Sequence, residues 1–156
     1  MKKIIITFVA LIIGLICRAQ TIDEHYYFKS LSSQNGLSQN TVSAILQDSK
    51  GFMWFGTKDG LNRYDGLSYR VYKKENSGLG KNFITALYED HEGNIWIGTD
   101  GGVFIYNPVL DSFTAFNQTS DKGTVIKDFV TMIGSDEYDN IWISVENQGL
   151  FCYNHE

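Results

Sequence analysis

Cysteine, histidine and positive charge are all scarce in this chain of 156 residues. The two cysteines are Cys17 and Cys152, with no CxxC pair. Cys17 falls in an apolar leader, so Cys152 stands alone beyond it. One cysteine closes no intramolecular disulfide, and the fold must rest on its core. The three histidines, His25, His91 and His155, are far apart, each beside acidic or polar neighbours. That distribution argues against a zinc site, and no metal or other cofactor is expected. Lys and Arg number 13 against 18 Asp and Glu, a net charge of −5. An acidic domain has no means of releasing counterions from a phosphate backbone, so nucleic acid is not expected as a partner of this region. G-x-S-x-G and HExxH are also missing. The glycine-rich "GTDGG" (98–102) joins two expected strands and lacks the helix N-terminus that would hold phosphate. No nucleophile, base and orienting group stand out, so no catalytic residue is assigned and this chain is not read as an enzyme.

Long apolar runs are equally rare, and the first twenty residues hold the main one. Lys2 and Lys3 precede Ile4–Ile16, and Cys17-Arg18-Ala19 gives a small-x-small site before Gln20. That is the grammar of a secretory signal peptide over 1–20, with a mature start at Gln20 or Thr21. The run is short for a bilayer span, which needs about 20 residues. Ile16, directly before Cys17, is too bulky for lipoprotein processing. Cleavage would remove three basic and no acidic residues, taking the net charge from −5 to −8. The expected location is the periplasm.

What is present is a repeat. "GFMWFGTKDGLNRY" (51–64), "GNIWIGTDGGVFIY" (93–106) and "DNIWISVENQGLFCY" (139–153) place Trp54, Trp96 and Trp142 at equivalent positions. Before each lies a strand-like segment, "TVSAILQD", "FITALYED" or "FVTMIGSD", and a turn opened by Asp48, Asp90 or Asp136. Asp at the head of a turn can bond the backbone two residues on, and Gly at its end accepts the reversal. Asp139 takes the glycine's place in the third copy and tolerates a left-handed conformation better than most residues. The tryptophan strand is apolar on both sides, so its sheet needs cover on both faces. Gly56, Gly98 and Ser144 follow the tryptophans by two residues, small enough to admit a ring from a neighbouring sheet. A third strand ends at Tyr64, Tyr106 or Tyr153, and "SYRVYK" and "SFTAFN" supply a fourth in the first two copies.

Four short antiparallel strands, repeated every forty-odd residues, predict an all-β fold of β-propeller blades. A β-sandwich also spaces strands regularly, but it does not predict Trp, Gly and Tyr at fixed offsets. The tryptophans are read as packing wedges between blades. The expected organisation is an outer strand and linker over 21–39, blade one over 40–81, blade two over 82–127 and part of a third over 128–156. Tyr26 to Leu31 is read as an outer strand without a blade of its own. Exposed apolar faces at both ends predict a chain that is marginal or self-associating alone.

"GLSQNTVSAILQDSKGFMWFGTKDGLNRYDG" resembles the two-component regulator propeller repeats almost throughout, with a second copy over Asn82–Asn107 and a looser third over Asp128–Tyr153. The third departs by Ser144-Val145-Glu146-Asn147-Gln148, one residue longer before Gly149. The resemblance implies the N-terminal periplasmic sensor region of Bacteroidetes hybrid two-component sensor histidine kinases. In such proteins the propellers precede a further β-domain, a transmembrane helix, a kinase, a receiver and a helix-turn-helix region. It implies a response to oligosaccharides from polysaccharide breakdown, passed on to transcription. The remaining blades and signalling domains of a longer parent are then partners, a dimeric parent is compatible with it, and the membrane enters only through downstream segments. The expectation is that this chain is the N-terminal fragment of such a sensor.

In propellers, small ligands usually meet the end where first strands begin and the loops between second and third strands emerge. Here that end carries Asn40, Asn82 and Asp128, with Lys58, Asp59 and Asp100 nearby. Amides and carboxylates suit sugar hydroxyls. The alternative is that Asn40 and Asn82 satisfy backbone groups at strand starts. A propeller enzyme of lyase or glycosidase type, or a protein-binding propeller, are the competing functions.

Overall fold

One aspartate organises each repeat. In the computed structural model, which describes residues 27–118, 123 and 125–154, Asp48 Oδ1 accepts the backbone N–H groups of Lys50 (3.0 Å) and Phe52 (2.8 Å). Its Oδ2 accepts the indole N–H of Trp54 at 2.7 Å. Asp90 does the same for Glu92, Asn94 and Trp96, and Asp136 for Tyr138, Asn140 and Trp142. One side chain thus closes the turn and fixes the rotamer of the large ring six residues on. The turns end in left-handed backbone at Gly51, Gly93 and Asp139, with φ of 88°, 81° and 61°, so aspartate does stand in for glycine in the third copy.

The chain divides into two units, Met1–Ser30 and Leu31–Glu156. The signal peptide expected over 1–20 lies outside the described residues. Residues 27–32 carry no strand, so the outer strand expected over Tyr26–Leu31 is not formed at those positions. Its pairing edge would belong to another blade. A short 3-10 turn, Ser33–Asn35, opens the second unit.

Three antiparallel sheets follow in chain order. The first pairs β1 (Val42–Gln47), β2 (Met53–Thr57), β3 (Gly60–Tyr64) and β4 (Tyr69–Tyr72). The second pairs β5 (Ile84–Glu89), β6 (Ile95–Thr99), β7 (Gly102–Asn107) and β8 (Ser112–Ala115). The third has β9 (Val130–Ser135), β10 (Ile141–Val145) and β11 (Gly149–Tyr153). These are two four-stranded blades and three strands of a third, as expected. The fourth strands end earlier than the sequence suggested. The first strands β1, β5 and β9 are neighbours, so each sheet runs outward from an inner first strand.

Each blade presents a leading face to the blade that follows and a trailing face to the one before. The leading face of the first, with Leu46, Trp54, Leu61 and Tyr72, packs on Leu87, Ile95, Ile97, Phe104 and Tyr106 of the second. The leading face of the second, with Ala86, Trp96, Val103 and Phe116, packs on Val130, Ile133, Ile141, Ile143 and Tyr153 of the third. Tyr106 lies 5.2 Å from Trp54 and Tyr153 5.8 Å from Trp96, centroid to centroid. The tyrosine ending each third strand therefore wedges against the preceding blade's tryptophan. Tyr64, with no preceding blade, stacks instead on Tyr69 of its own sheet at 4.7 Å.

Two expectations need correction. The small residue after each tryptophan does not receive a ring. A Cβ at Gly56 would lie 2.7 Å from Ile84 Cγ2, and one at Gly98 2.7 Å from Val130 Cγ1. What seats there is a β-branched side chain at the head of the next inner strand, because that strand approaches too closely for an aromatic. Nor do all three tryptophans act as buried wedges. Trp54 and Trp96 are 1% and 3% exposed, but Trp142 is 38% exposed. Among the described residues, no sheet covers its face.

Candidate functional site

The loops joining second and third strands differ in length by one residue. Thr57 pairs with Gly60 and Thr99 with Gly102 across two-residue loops, whereas Val145 pairs with Gly149 across three. The threonine hydroxyls close the short loops by donating to Gly60 O (3.0 Å) and Gly102 O (2.7 Å). Both glycines take left-handed φ, 125° and 112°. Their N–H groups donate across the seam to Asn82 O (2.8 Å) and Asp128 O (3.2 Å). The backbone of two expected site residues is therefore a staple between blades.

Asn40 Oδ1 accepts the Ser33 N–H at 2.8 Å, and Asn82 Oδ1 accepts the Lys74 N–H at 2.8 Å. The Asn82 amide also donates to Glu75 at 3.3 Å. Glu75's own backbone N–H, and then that amide, hold its carboxyl below the usual range. Both amide oxygens thus do what the alternative reading required, tying the preceding loop to the strand start. Asp59 pairs with Lys73 at 2.6 Å. Lys58 Nζ lies 5.7 Å from the centroid of Phe83, and Phe83 meets Phe129 edge to face at 5.6 Å. Asp100 and Asp128 are exposed.

The fold thus brings Lys58, Phe83 and Phe129 together, with Asp128 next in chain to Phe129, while Asn40 belongs to another blade's entry. The two phenylalanines were missed as site residues because they head apolar segments and read as strand. The usable signal was their position, directly after Asn82 and Asp128. Among the described residues no cluster of three or more His, Cys, Asp or Glu could hold a metal.

Clefts open at the opposite end, over the aspartate turns. Between the first two blades a cleft of about 230 Å³ is lined by Asp48, Phe52, Trp54, Arg63 and Tyr106 among others. The matching cleft between the second and third is about 510 Å³, with His91, Glu92, Tyr138, Asp139 and Tyr153 in its wall. Arg63 forms part of the first cleft's wall, where its guanidinium stacks 4.6 Å over Phe52 and donates to Tyr106 Oη at 3.4 Å. Tyr106 donates to Asp111 Oδ1 (2.7 Å), and Arg70 pairs with Asp111 Oδ2 (2.6 Å). Burial, then the bond to Asp111, push the Tyr106 phenol up. Its hydroxyl and Arg70 hold Asp111 below the usual carboxylate range. In the register of the repeat the second blade carries Asn94 and Ile105 at the positions of Phe52 and Arg63.

Known proteins share this repeat and fold. The model of the two component regulator propeller matches residues 36–59 and 78–101. Histidine kinase P4 of Formosa agariphila is 43% identical over 51 residues, 33% of this chain and 4% of that protein. The extracellular domain of the hybrid two component system BT3049 from B. thetaiotaomicron matches with a TM-score of 0.71 and 29% identity, over 85% of this chain and 20% of that one. That of BT4673 from the same organism gives 0.63 and 30%, over 72% and 16%. The chain thus spans a fifth or less of these two solved domains. No helix among the described residues is long and apolar enough to cross a membrane. With its aspartate-braced Trp-Gly-Tyr blades, the chain carries two matched repeats of the two component regulator propeller.

Proposed function

We propose that this chain is part of an exported propeller that senses oligosaccharides released from a polysaccharide and signals, through a hybrid two-component protein, to transcription. The observation that carries the reading is the run of two blades and three strands of a third that matches the extracellular domain of a hybrid two component system over 85% of the chain. A leader with basic, apolar and small-residue regions supports export to the periplasm. The ligand end is that of the β2–β3 and β6–β7 loops. There the exposed carboxylates of Asp100 and Asp128 accept hydroxyl protons, Lys58 donates, and the Phe83–Phe129 pair offers apolar surface to a sugar ring. Asn40 contributes its N–H₂ group and Asn82 the amide hydrogen not given to Glu75, their oxygens being held by the backbone, and Asp59 acts with Lys73.

The test is calorimetric titration of the complete extracellular domain with a panel of plant, algal and host oligosaccharides. Saturable binding of one class is expected, weakened at least tenfold by Asp128→Ala. Absence of binding across the panel, or binding indifferent to substitution at Lys58, Asp100 and Asp128, would refute this assignment.

A further inference from the structure

The leading faces of the three blades should be alike if each receives the same kind of neighbour, and they are not. In the first blade Ala44 pairs with Gly56, and in the second Ala86 with Gly98. These Ala–Gly pairs form a notch. Ile84 fills the first and Val130 the second, so tightly that no Cβ fits at either glycine. The next cross-strand pair holds the bulk, Leu46 with Trp54 and Tyr88 with Trp96.

The third blade reverses this relief. Met132 pairs with Ser144 where the notch should be, and Gly134 pairs with Trp142 where the bulk should be. Met132 is 68% exposed and stands clear of the sheet, while a Cβ at Gly134 would meet nothing within 4 Å. Thr131 Oγ1 donates to Ser144 Oγ at 2.8 Å, fixing the serine in place. Cross-strand partners share a face, so Met132, Ser144, Trp142, Leu150 and Cys152 lie together.

We propose that the third blade's leading face is a selective docking surface for a further β-sheet of the longer protein, one whose inner strand begins with a small residue. Met132 is then the knob that enters the neighbour, reversing the polarity of the two earlier seams. Gly134 leaves room for a bulkier side chain one step along. Three observations favour this occupant. The face is apolar and open, with Leu150 63% and Trp142 38% exposed. The solved extracellular domains extend well beyond the fifth of their length that this chain matches. The two seams already present show that such a face takes a sheet. A second copy of this chain is disfavoured, because its free trailing face begins with Val42, the register equivalent of Ile84 and Val130. A β-branched knob there would meet Met132 and Ser144 head on.

The chain itself can be made to present either kind of neighbour. Val42 is exposed, so Val42→Ala leaves the fold intact while giving a second copy the small first residue the proposal requires. With Cys17→Ser in place, the exposed Cys152 is the one thiol and reports on this face. Cys152 alkylation, followed against protein concentration and paired with sedimentation velocity, is the measurement. Val42→Ala is expected to protect Cys152 with a dissociation constant at least tenfold below that of the unmodified chain. Adding Met132→Ala to Val42→Ala should remove the protection, since neither side then has a knob. A Val42→Ala chain that protects Cys152 no better than the unmodified chain, or protection that survives Met132→Ala, overturns the proposal. This test does not depend on any sugar, so it stands or falls apart from the sensing assignment.

Discussion

Replacing Asp90 by asparagine isolates what the aspartate–tryptophan bond is worth, because the third repeat supplies a control within the same molecule. Asp90 Oδ1 accepts the N–H groups of Glu92 (3.1 Å) and Asn94 (2.8 Å), and Oδ2 accepts the Asn94 amide (3.1 Å) and the Trp96 indole (2.8 Å). Every partner is a donor. An asparagine offers one oxygen, so its N–H₂ must face either the backbone donors or the indole. If the oxygen stays with the turn, the Trp96 N–H is left opposite another donor in a ring only 3% exposed. An unmet buried donor costs about 1–3 kcal/mol, and a bond to a charged acceptor lies at the upper end of that range. The expected loss for Asp90→Asn is therefore about 2 kcal/mol. Asp136→Asn breaks the matching bond, 2.9 Å to Trp142, but that ring is 38% exposed and water can replace the acceptor. Its loss should be clearly smaller than that of Asp90→Asn. Urea unfolding followed by far-ultraviolet circular dichroism reads both values, provided the slopes agree. Equal losses for the two variants, or an Asp90→Asn loss under about 0.5 kcal/mol, would refute the reasoning.

Three further outcomes follow from the same geometry. Trp54→Ala and Trp96→Ala should each cost about 3–5 kcal/mol in urea unfolding, as for large buried aromatics, and Trp142→Ala well under half of that; comparable losses at all three would contradict the exposure of Trp142. Gly98→Ala puts a methyl 2.7 Å from Val130 Cγ1, and prying the seam open should cost about 1–3 kcal/mol, with the thermal midpoint as readout and an unchanged midpoint as the contrary result. Bonds from the Asn140 amide and the Trp142 indole lower the Asp136 carboxyl to about 2 from 3.8. A carboxyl lower in the folded state stabilises it above the unfolded value, and that contribution fades as pH falls from about 4 towards 2. A carbon-detected NMR titration midpoint at or above 3.5 would show that the bonds are not made in solution.

The blades were legible in the sequence because their determinants are local. Trp, Gly and Tyr recur at fixed offsets, Asp48 and its equivalents mark the turns, and alternation on the second strand demands cover on both faces. The site was far less legible. Asn40 and Asn82 carry the right chemistry for a ligand, yet their oxygens are used by Ser33 and Lys74, seven and eight residues upstream. Lys58 meets Phe83 from the following blade, a pairing that depends on how sheets stack. Nor could spacing say that Gly56 seats an aliphatic knob, since that depends on how closely β5 approaches β2. Asn62 shows the same limit. Wholly buried, it accepts from Ser38 N and donates to Ser38 Oγ, both at 2.8 Å, whereas the second repeat has Phe104 filling the space over Gly80. A polar pair in one repeat has become an apolar pair in the next, and neither member alone reveals it.

The two seams inside this chain also differ in how they are fastened, which bears on how a propeller could pass on a change of shape. Across the first seam Glu89 grips Ser49 through both its N–H (2.8 Å) and its hydroxyl (2.6 Å), and Arg70 and Tyr106 converge on Asp111. Across the second, Ser135 occupies the register of Glu89, and its Oγ accepts from the Tyr88 hydroxyl at 2.6 Å. His91 stands where Ser49 stood, 3.9 Å from Asp139, with both side chains more than half exposed. At these two positions a double bond to a carboxylate has given way to one hydroxyl pair and a long ion pair, while the apolar packing of Trp96, Phe116 and Tyr153 continues. Repeated blades behave as a nearly one-dimensional array, in which each junction adds its own increment to stability. A seam held by apolar contact with few directional bonds can slide or hinge at lower cost than one pinned by charged groups, since dispersion and burial fix no register. The wider cleft over the second seam, about 510 Å³ against 230 Å³, is the geometric counterpart of that difference. At Ser135 and His91 the second seam, directly beneath the face that bears Met132, therefore fixes its register with fewer charge-assisted bonds than the first does at Glu89 and Ser49.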